Sequence, residues 1–417
     1  MVVTLKIWVI VVVIIMIVYA VRHAIFTLSR LAWRQRPYYQ DIVDGRMPSL
    51  SVLIPMHNEA VVASSILDAI LACDYPNEKL EVIPIDDHST DGTAAILQRY
   101  AAAHEHVRPL YRENGSRGKS NALNAGLAAA VNDVVIVFDA DYLPARGLLR
   151  QLANAFVDPE VGAVMGRVVP FNCDRTFLTR MLAMERTGGY QVDQQARYNL
   201  DLLPQYGGTV GGFRRDIALL LDGFDPNQLA EDTDLTFKLF VRGWRVAYAN
   251  RAECYEQVPE SWATRFRQLR RWSRGHNHVL VRHALPLMRS EFLNLTQKLE
   301  GLLLLLVYAM PLLLLSGFAA NAALFLMGAM PIWSAVWIGV FVVAYNAFGN
   351  FAPVYEIGAA EVLDGMQQRI YLLPYLFFVY IYNTWTTATG FIDALGDIVR
   401  RRALTWEKTE RTATVSS

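Results

Sequence analysis

Apolar residues are concentrated at the two ends of the chain, and between them the pattern alternates. Residues 7–31 open with an almost uncharged run at 7–21, and residues 301–352 and 370–392 are similarly apolar. Each stretch approaches or exceeds the roughly 20 residues that cross a bilayer core. Residues 301–330 read as one long span or as two short ones broken near Pro311 and Ser316. The stretch 353–369, with Glu356, Glu361 and Asp364, is too acidic for lipid and is expected in the membrane interface. From Pro48 onward the pattern changes to strand, helix, strand, helix. A short strand is predicted at 51–55, a helix at about 59–71, a strand at 81–85 and a helix at 93–103. VVIVF at 134–138 is a continuous apolar run without alternation, as expected for a strand buried on both faces of a parallel sheet. The prediction is an α/β domain with a doubly wound, mostly parallel sheet, inserted between transmembrane helices, its ligands at the carboxyl ends of the strands.

Composition and charge add compartment and orientation. The chain has 417 residues, 53% of them hydrophobic, and a net charge of zero, which argues against a nucleic-acid partner. Arg22, Arg30, Arg34 and Arg36 follow the first apolar run and place that side in the cytoplasm; no small-residue cleavage site marks a leader. Arg400, Arg401 and Arg402 place the tail on the same side, so an even number of crossings separates the two, without a count. Cys73, Cys173 and Cys254 lie far apart, in no CxxC and no zinc pattern, and are expected to be reduced thiols.

The acidic motifs fall at predicted strand ends. The second strand runs into Asp86-Asp87-His88, and Asp91 to Thr93 read as turn and helix cap. Paired carboxylates at Asp86 and Asp87 would repel unless something binds there. The VVIVF strand ends in Asp139-Ala140-Asp141, whose side chains, two apart on an extended segment, converge on one spot. Oxygen-only ligands suit Mg²⁺ or Mn²⁺ together with substrate phosphates. Gly118-Lys119 lacks the spacing of a P-loop, but Lys119 offers a point charge to a phosphate or base.

Further along, the Gly-rich stretch 207–213 lets backbone crowd a bound ligand, and Gly211 in it is assigned to the acceptor or product. Glu231 and Asp232 follow it, and a carboxylate there is placed to take the proton of an attacking sugar hydroxyl. Asp234 reads as a complement to the dipole of a helix at 235–242. On a helix at 262–274, Gln268, Arg271 and Trp272 share a face, while part of the arginine content fits contact with anionic lipid. Arg271 suits a departing diphosphate and Trp272 the apolar face of a sugar.

These elements, in this order, resemble the membrane-bound processive glycosyltransferases of family 2, the group of cellulose, chitin, hyaluronan and poly-N-acetylglucosamine synthases. The resemblance runs from the strand ending at Pro55 to the tail Trp406-Glu407-Lys408-Thr409-Glu410-Arg411. It implies a GT-A fold, a UDP-sugar donor (glucose or N-acetylglucosamine) and inversion at the anomeric carbon. By motif, Asp87 resembles the aspartate that meets the nucleoside, and Asp139 and Asp141 the metal-binding DxD. Asp232 resembles the base that ends TED, and Gln268, Arg271 and Trp272 match QxxRW, which holds the diphosphate and the growing chain. Ala230 replaces the TED threonine and His88 the usual glycine after the paired aspartates. The chain carries no PilZ extension, so control by cyclic-di-GMP is expected to need a partner chain. The implied domains are a transmembrane helix (1–36), a transferase domain (48–258), interfacial helices (259–300), a C-terminal membrane region (301–395) and a cytoplasmic tail (396–417). The implied setting is a multi-pass inner-membrane enzyme extending and exporting a polysaccharide, with an accessory membrane or export subunit as partner. Transfer to a lipid acceptor is the second reading. An inactive sugar-binding scaffold is the third, and it requires every motif carboxylate to be idle.

Overall fold

The computed structural model describes residues 1–32, 47–330 and 353–400. Arg34, Arg36, Arg401, Arg402, the tail motif at 406–411 and the apolar run 331–352 lie outside the described residues.

Eight strands form one sheet. In chain order they are β1 (Leu50–Met56), β2 (Leu80–Asp87), β3 (Leu110–Arg112), β4 (Val134–Val137), β5 (Leu143–Pro144), β6 (Val161–Pro170), β7 (Gly211–Arg214) and β8 (Arg245–Glu256), in the spatial order β3-β2-β1-β4-β7-β6-β8-β5. The first half is as predicted. β1 pairs in parallel with β2 and β4, Leu50 lying beside both Leu80 and Val134, and β2 pairs in parallel with β3. Every residue of β2 and β4 is buried, and β4 is an unbroken apolar run at the centre of the sheet.

Beyond β4 the expectation of a mostly parallel sheet needs correction, because the sheet is mixed. β7 runs antiparallel to both β4 and β6, and β5 antiparallel to β8, while β6 and β8 are parallel. The reversal has a local consequence. Val137, at the carboxyl end of β4, faces Gly211, at the start of β7, so the glycine-rich loop enters the sheet directly beside the DxD segment. Val210 N donates to Val137 O at 2.9 Å and Asp139 N donates to Thr209 Oγ1 at 3.0 Å. Only glycine fits the first two positions of β7. A Cβ on Gly211 would meet Val164 O at 2.5 Å and the Tyr206 ring at 2.7 Å, and one on Gly212 would meet Ile136 Cδ1 at 2.3 Å. Gly211, expected to help bind acceptor, is therefore a packing residue of the sheet.

Helix boundaries differ from the predictions for physical reasons. Thr93–Ala103 is as expected, but the preceding helix is Ala63–Leu71, not 59–71. The backbone N–H groups of Glu59 and Ala60 are instead taken by Thr93 Oγ1 and Asp91 Oδ2. Glu231–Phe240 starts four residues earlier than the expected 235, which puts Glu231 and Asp232 in its first turn. Asp234 does more than complement a dipole: it is fully buried, in an ion pair with Lys238 at 2.9 Å and bonded to His283 Nε2 at 2.7 Å. That pair ties the helix to Trp262–Arg289, a longer helix than the predicted 262–274, capped at its start by the Ser261 hydroxyl. Three of that helix's arginines have carboxylate partners within the protein. Arg265 pairs with Glu185, while Arg270 and Arg274 reach Asp393 and Asp397 of the helix Leu376–Arg400 at 2.5 Å each.

Among the described residues, one helix, Val2–Ala32, is long and apolar enough to cross a bilayer, and only 17% of its most apolar stretch is buried inside the protein. Leu295–Leu306 and Met310–Leu326 meet at 72°, so the break lies just before Pro311, and the two count as a second crossing if they form one bent span. Of the acidic stretch 353–369, the carboxylates of Glu356 and Glu361 turn into the protein, while residues 365–368 are exposed. Glu356 and Glu361, on the helix Val354–Leu363, have no exposed surface, and Asp364 pairs with Arg167.

Gly211→Ala should lower the thermal unfolding midpoint by an amount corresponding to about 1–3 kcal/mol of overpacking. Full stability with a changed acceptor KM would restore the binding role.

Candidate active site

A cavity of about 460 Å³ opens above the carboxyl end of β4. It is walled by the DxD segment, the loop Gly207–Thr209, the first turn of Glu231–Phe240, the helix Trp262–Arg289, and the N-terminal helix at Tyr19, Arg22 and His23. Of the residues singled out in the sequence, Lys119, Asp139, Asp141, Glu231, Asp232, Gln268, Arg271 and Trp272 all line it. Asp86, Asp87 and Gly211 do not.

Lys119 is the electrostatic centre. Its ammonium lies 2.8 Å from Asp139 Oδ1 and 3.5 Å from Glu231 Oε1, and donates to Gly208 O at 2.9 Å. Burial disfavours that charge, but Asp139 and Glu231 more than offset it and hold the Lys119 pKa above the ordinary lysine range. The lysine expected to meet a phosphate thus already has carboxylate partners. Gly208 has φ of 80°, and a Cβ there would stand 3.0 Å from Asp232 Oδ2, so the left-handed glycine lets the loop close over that carboxylate.

Asp232 Oδ1 accepts from Thr233 N at 2.7 Å. Burial, followed by the charge of neighbouring Glu231, raises the Asp232 pKa to about 7, with Lys119 opposing. A carboxyl group that changes charge near neutrality inside a cavity is suited to proton transfer.

Asp86 and Asp87 need no bound ligand to relieve repulsion, because consecutive strand residues point to opposite faces. Asp86 caps the turn at Ser89 N (3.1 Å); Asp87 accepts from Gly118 N (2.8 Å), contacts His88 Nδ1 (2.9 Å) and is bound by Arg112. Asp87 therefore fixes the loop that starts the Lys119 helix.

Trp272 is flanked by cations. Arg186 lies 5.2 Å and Arg265 5.7 Å from its ring centre. Arg186 Nε donates to Glu256 Oε1 at 2.6 Å, and Tyr142 OH donates to Glu256 Oε2 at 2.7 Å. This chain links Trp272 to the residue after Asp141. Sequence reasoning missed Arg186, Glu256 and Tyr142, as well as His276, which stacks on Tyr308 at 4.3 Å in the cavity wall. Tyr142 alone carried a signal, its adjacency to Asp141. The others come together only through the fold.

A mixed sheet with carboxylates gathered over the end of its central strand is the GT-A-like glycosyltransferase architecture. The chain belongs to the family described as glycosyltransferase-like family 2, which matches residues 48–275. It is similar to "Probable glycosyltransferase YdaM" of Bacillus subtilis (34% identity over 57% of this chain and 57% of the relative). It is also similar to the β-monoglucosyldiacylglycerol synthase of Nostoc sp. (31%, over 57% and 51%). The poly-β-1,6-N-acetyl-D-glucosamine synthase of Staphylococcus aureus is 27% identical over 60% of each chain. The matches thus span between half and three fifths of these relatives' lengths. Among solved structures, the mannosyltransferase PcManGT of Pyrobaculum calidifontis, in complex with GDP-Man and Mn²⁺, shares the fold (TM-score 0.56, 24% identity, covering 90% of this chain and 99% of that one).

Arg186→Met should destabilise the chain by on the order of 3 kcal/mol in denaturant unfolding, because Glu256 is left buried without its cation, and Glu256→Gln in the same chain should recover much of the loss. A fully stable single variant would show that Arg186 does not hold this wall.

Proposed function

We propose that the chain is an inverting, metal-dependent hexosyltransferase that moves a sugar from a nucleoside-diphosphate sugar to a glycan acceptor at the membrane. The observation that carries this reading is the placement of Asp232 in one cavity with Asp139, Asp141, Arg271 and Trp272. Asp139 and Asp141 offer only carboxylate oxygens and both line the cavity, a donor set that fits Mg²⁺ or Mn²⁺. When bound, such an ion supplies positive charge to the departing diphosphate.

This chain's residues do the rest. Arg271 takes up charge on the leaving group, and Asp232 accepts the proton of the acceptor hydroxyl as that oxygen attacks the anomeric carbon. One displacement with no covalent sugar–enzyme intermediate inverts the configuration. Gln268 and Trp272 face the acceptor, and Trp272, held between Arg186 and Arg265, presents a fixed aromatic wall. UDP as the nucleotide, processive extension of a β-linked polysaccharide and its export past the C-terminal helices extend this reading through the family resemblance. So do the multi-pass inner-membrane setting with a cytoplasmic catalytic domain and an accessory subunit.

Transfer to a lipid acceptor is the second reading. It is favoured by the likeness to a β-monoglucosyldiacylglycerol synthase and by the cavity wall contributed by the apolar N-terminal helix. The size of the product made from a radiolabelled UDP-sugar separates the two: a ladder or high polymer for extension, a single glycolipid for one addition.

Asp232→Asn should reduce transfer by about 10²–10⁴-fold while UDP still binds; loss of UDP binding would remove the base assignment. Because Asp232 works as a base only when ionised, kcat/KM should fall as pH drops through about 7. Lys119 lowers that pKa, so Lys119→Met should move the acidic limb to higher pH. A limb that stays in place would separate Asp232 from the rate.

A further inference from the structure

Where the N-terminal helix meets the π-helical turn Gly188–Gln194, the same cavity has a wall of buried charged groups that the transfer chemistry does not use. Arg22, His23, Asp193 and Arg197 line it, and Arg22, His23 and Arg197 are at most 4% exposed. Arg22 Nε donates to Glu300 Oε2 at 2.8 Å, and Arg197 Nε donates to Asp193 Oδ2 at 2.9 Å. Both guanidinium groups lie over the Phe26 ring, at 4.4 Å and 5.3 Å, which fixes their planes.

The geometry leaves specific atoms without hydrogen bonds. Arg22 Nη2, Arg197 Nη1 and Asp193 Oδ1 are all buried and have no hydrogen-bond partner. Arg22 Nη2 and Asp193 Oδ1 face each other at 3.6 Å, beyond hydrogen-bond reach. Buried donors and acceptors in this state are costly unless a ligand or water completes them.

The chemistry of the missing partner can be narrowed. His23, Asp193 and Glu356 are close enough together to suggest a metal site. Arg22 Nη1, which can only donate, lies 3.3 Å from His23 Nε2, so the ring proton is on Nδ1, which donates to Glu356 Oε2 at 2.9 Å. Both ring nitrogens are then committed, and two guanidinium groups stand beside the carboxylates, so a cation is disfavoured. An anion is disfavoured too, because Glu300 and Asp193 already pair with the two guanidinium groups and the acceptor Asp193 Oδ1 itself faces the gap. A hydroxyl suits the gap: it accepts from Arg22 Nη2 and donates to Asp193 Oδ1, and a second one accepts from Arg197 Nη1. A neutral sugar carries several hydroxyls at such spacing, and a cavity of 460 Å³ lies in the range of about 300–1,000 Å³ typical of ligand pockets.

We propose that Arg22, Asp193 and Arg197 form an acceptor subsite that binds the hydroxyls of a neutral sugar unit, at the end of a glycan or in a glycolipid headgroup. The assignment rests on the hexosyl-transfer reading for the role of that sugar as acceptor, and on this wall of the cavity for its binding. The subsite also gives the N-terminal helix a task beyond anchoring, since one of its residues contacts the acceptor.

The test uses the full chain in lipid nanodiscs with Arg22→Lys and Arg197→Lys. Each variant keeps the cation beside its carboxylate and deletes the unpartnered guanidinium nitrogen. Acceptor KM is measured with β-linked tetrasaccharides of glucose and of N-acetylglucosamine and, separately, with monoglucosyldiacylglycerol, alongside UDP affinity by calorimetry. The expected result is a rise in acceptor KM of roughly 10-fold or more with UDP affinity unchanged; the acceptor class that shows the rise identifies the source of the sugar. Unchanged KM for every acceptor in folded variants would overturn the subsite, and so would a parallel loss of UDP affinity, which marks a purely structural cluster. If the wild-type chain transfers no sugar from any donor, the transfer reading fails by itself. Saturation-transfer NMR with the tetrasaccharides and the headgroup sugar then decides the subsite: binding lost in the two variants upholds it, and no binding to wild type overturns it.

Discussion

The arrangement of the site depends on one ammonium group among carboxylates. Lys119 is held by Asp139 at 2.8 Å and Glu231 at 3.5 Å, on elements far apart in the sequence, and its charge also reaches Asp232. Buried like charges repel strongly where water is scarce, so carboxylates gathered without a cation would push one another apart or take up protons. Lys119 lets Asp139 stay beside Glu231, and it limits how far burial raises Asp232. The helix Lys119–Ala129 is set in turn by Asp87, which accepts from Gly118 N immediately before it. The carboxylates at the ends of β2 and β4 thus have different tasks: the first fixes the lysine, and the second meets it.

The antiparallel β7 makes this closeness geometric. Because β7 starts where β4 ends, the loop at Gly207–Thr209 lies over the DxD segment and beneath Asp232, and Gly208 supplies the φ of 80° that the loop needs there. A parallel strand would have put that loop at the opposite edge of the sheet. On the far side, Tyr142, Glu256 and Arg186 carry the same ordering to Trp272. The two walls of the cavity thus meet at the DxD segment, where Tyr142 follows Asp141 in the chain.

Much of this was legible in the sequence, for identifiable reasons. VVIVF before Asp139 announces a buried strand with carboxylates at its end, and the i, i+3, i+4 spacing of Gln268, Arg271 and Trp272 predicts the shared wall they occupy. The reversal of the sheet was not legible, because GGFR at β7 lacks the β-branched and aromatic density that marks a strand and reads as a loop. The burial of Asp234 and Glu356 was not legible, because local rules assign carboxylates to helix starts and wet surfaces. Their partners, His283 and His23, lie 49 and 333 residues away, and only the tertiary structure brings them together. Arg186 and Glu256 were invisible for the same reason: neither stands in a motif.

The central claim is a single displacement with Asp232 as the base, and stereochemistry tests it most directly. Proton NMR of the first product formed from an α-linked nucleotide sugar should show a β-glycosidic bond, since one attack from the face opposite the leaving diphosphate inverts the anomeric carbon. An α-linked first product would require two displacements or a front-face attack, and would contradict the account.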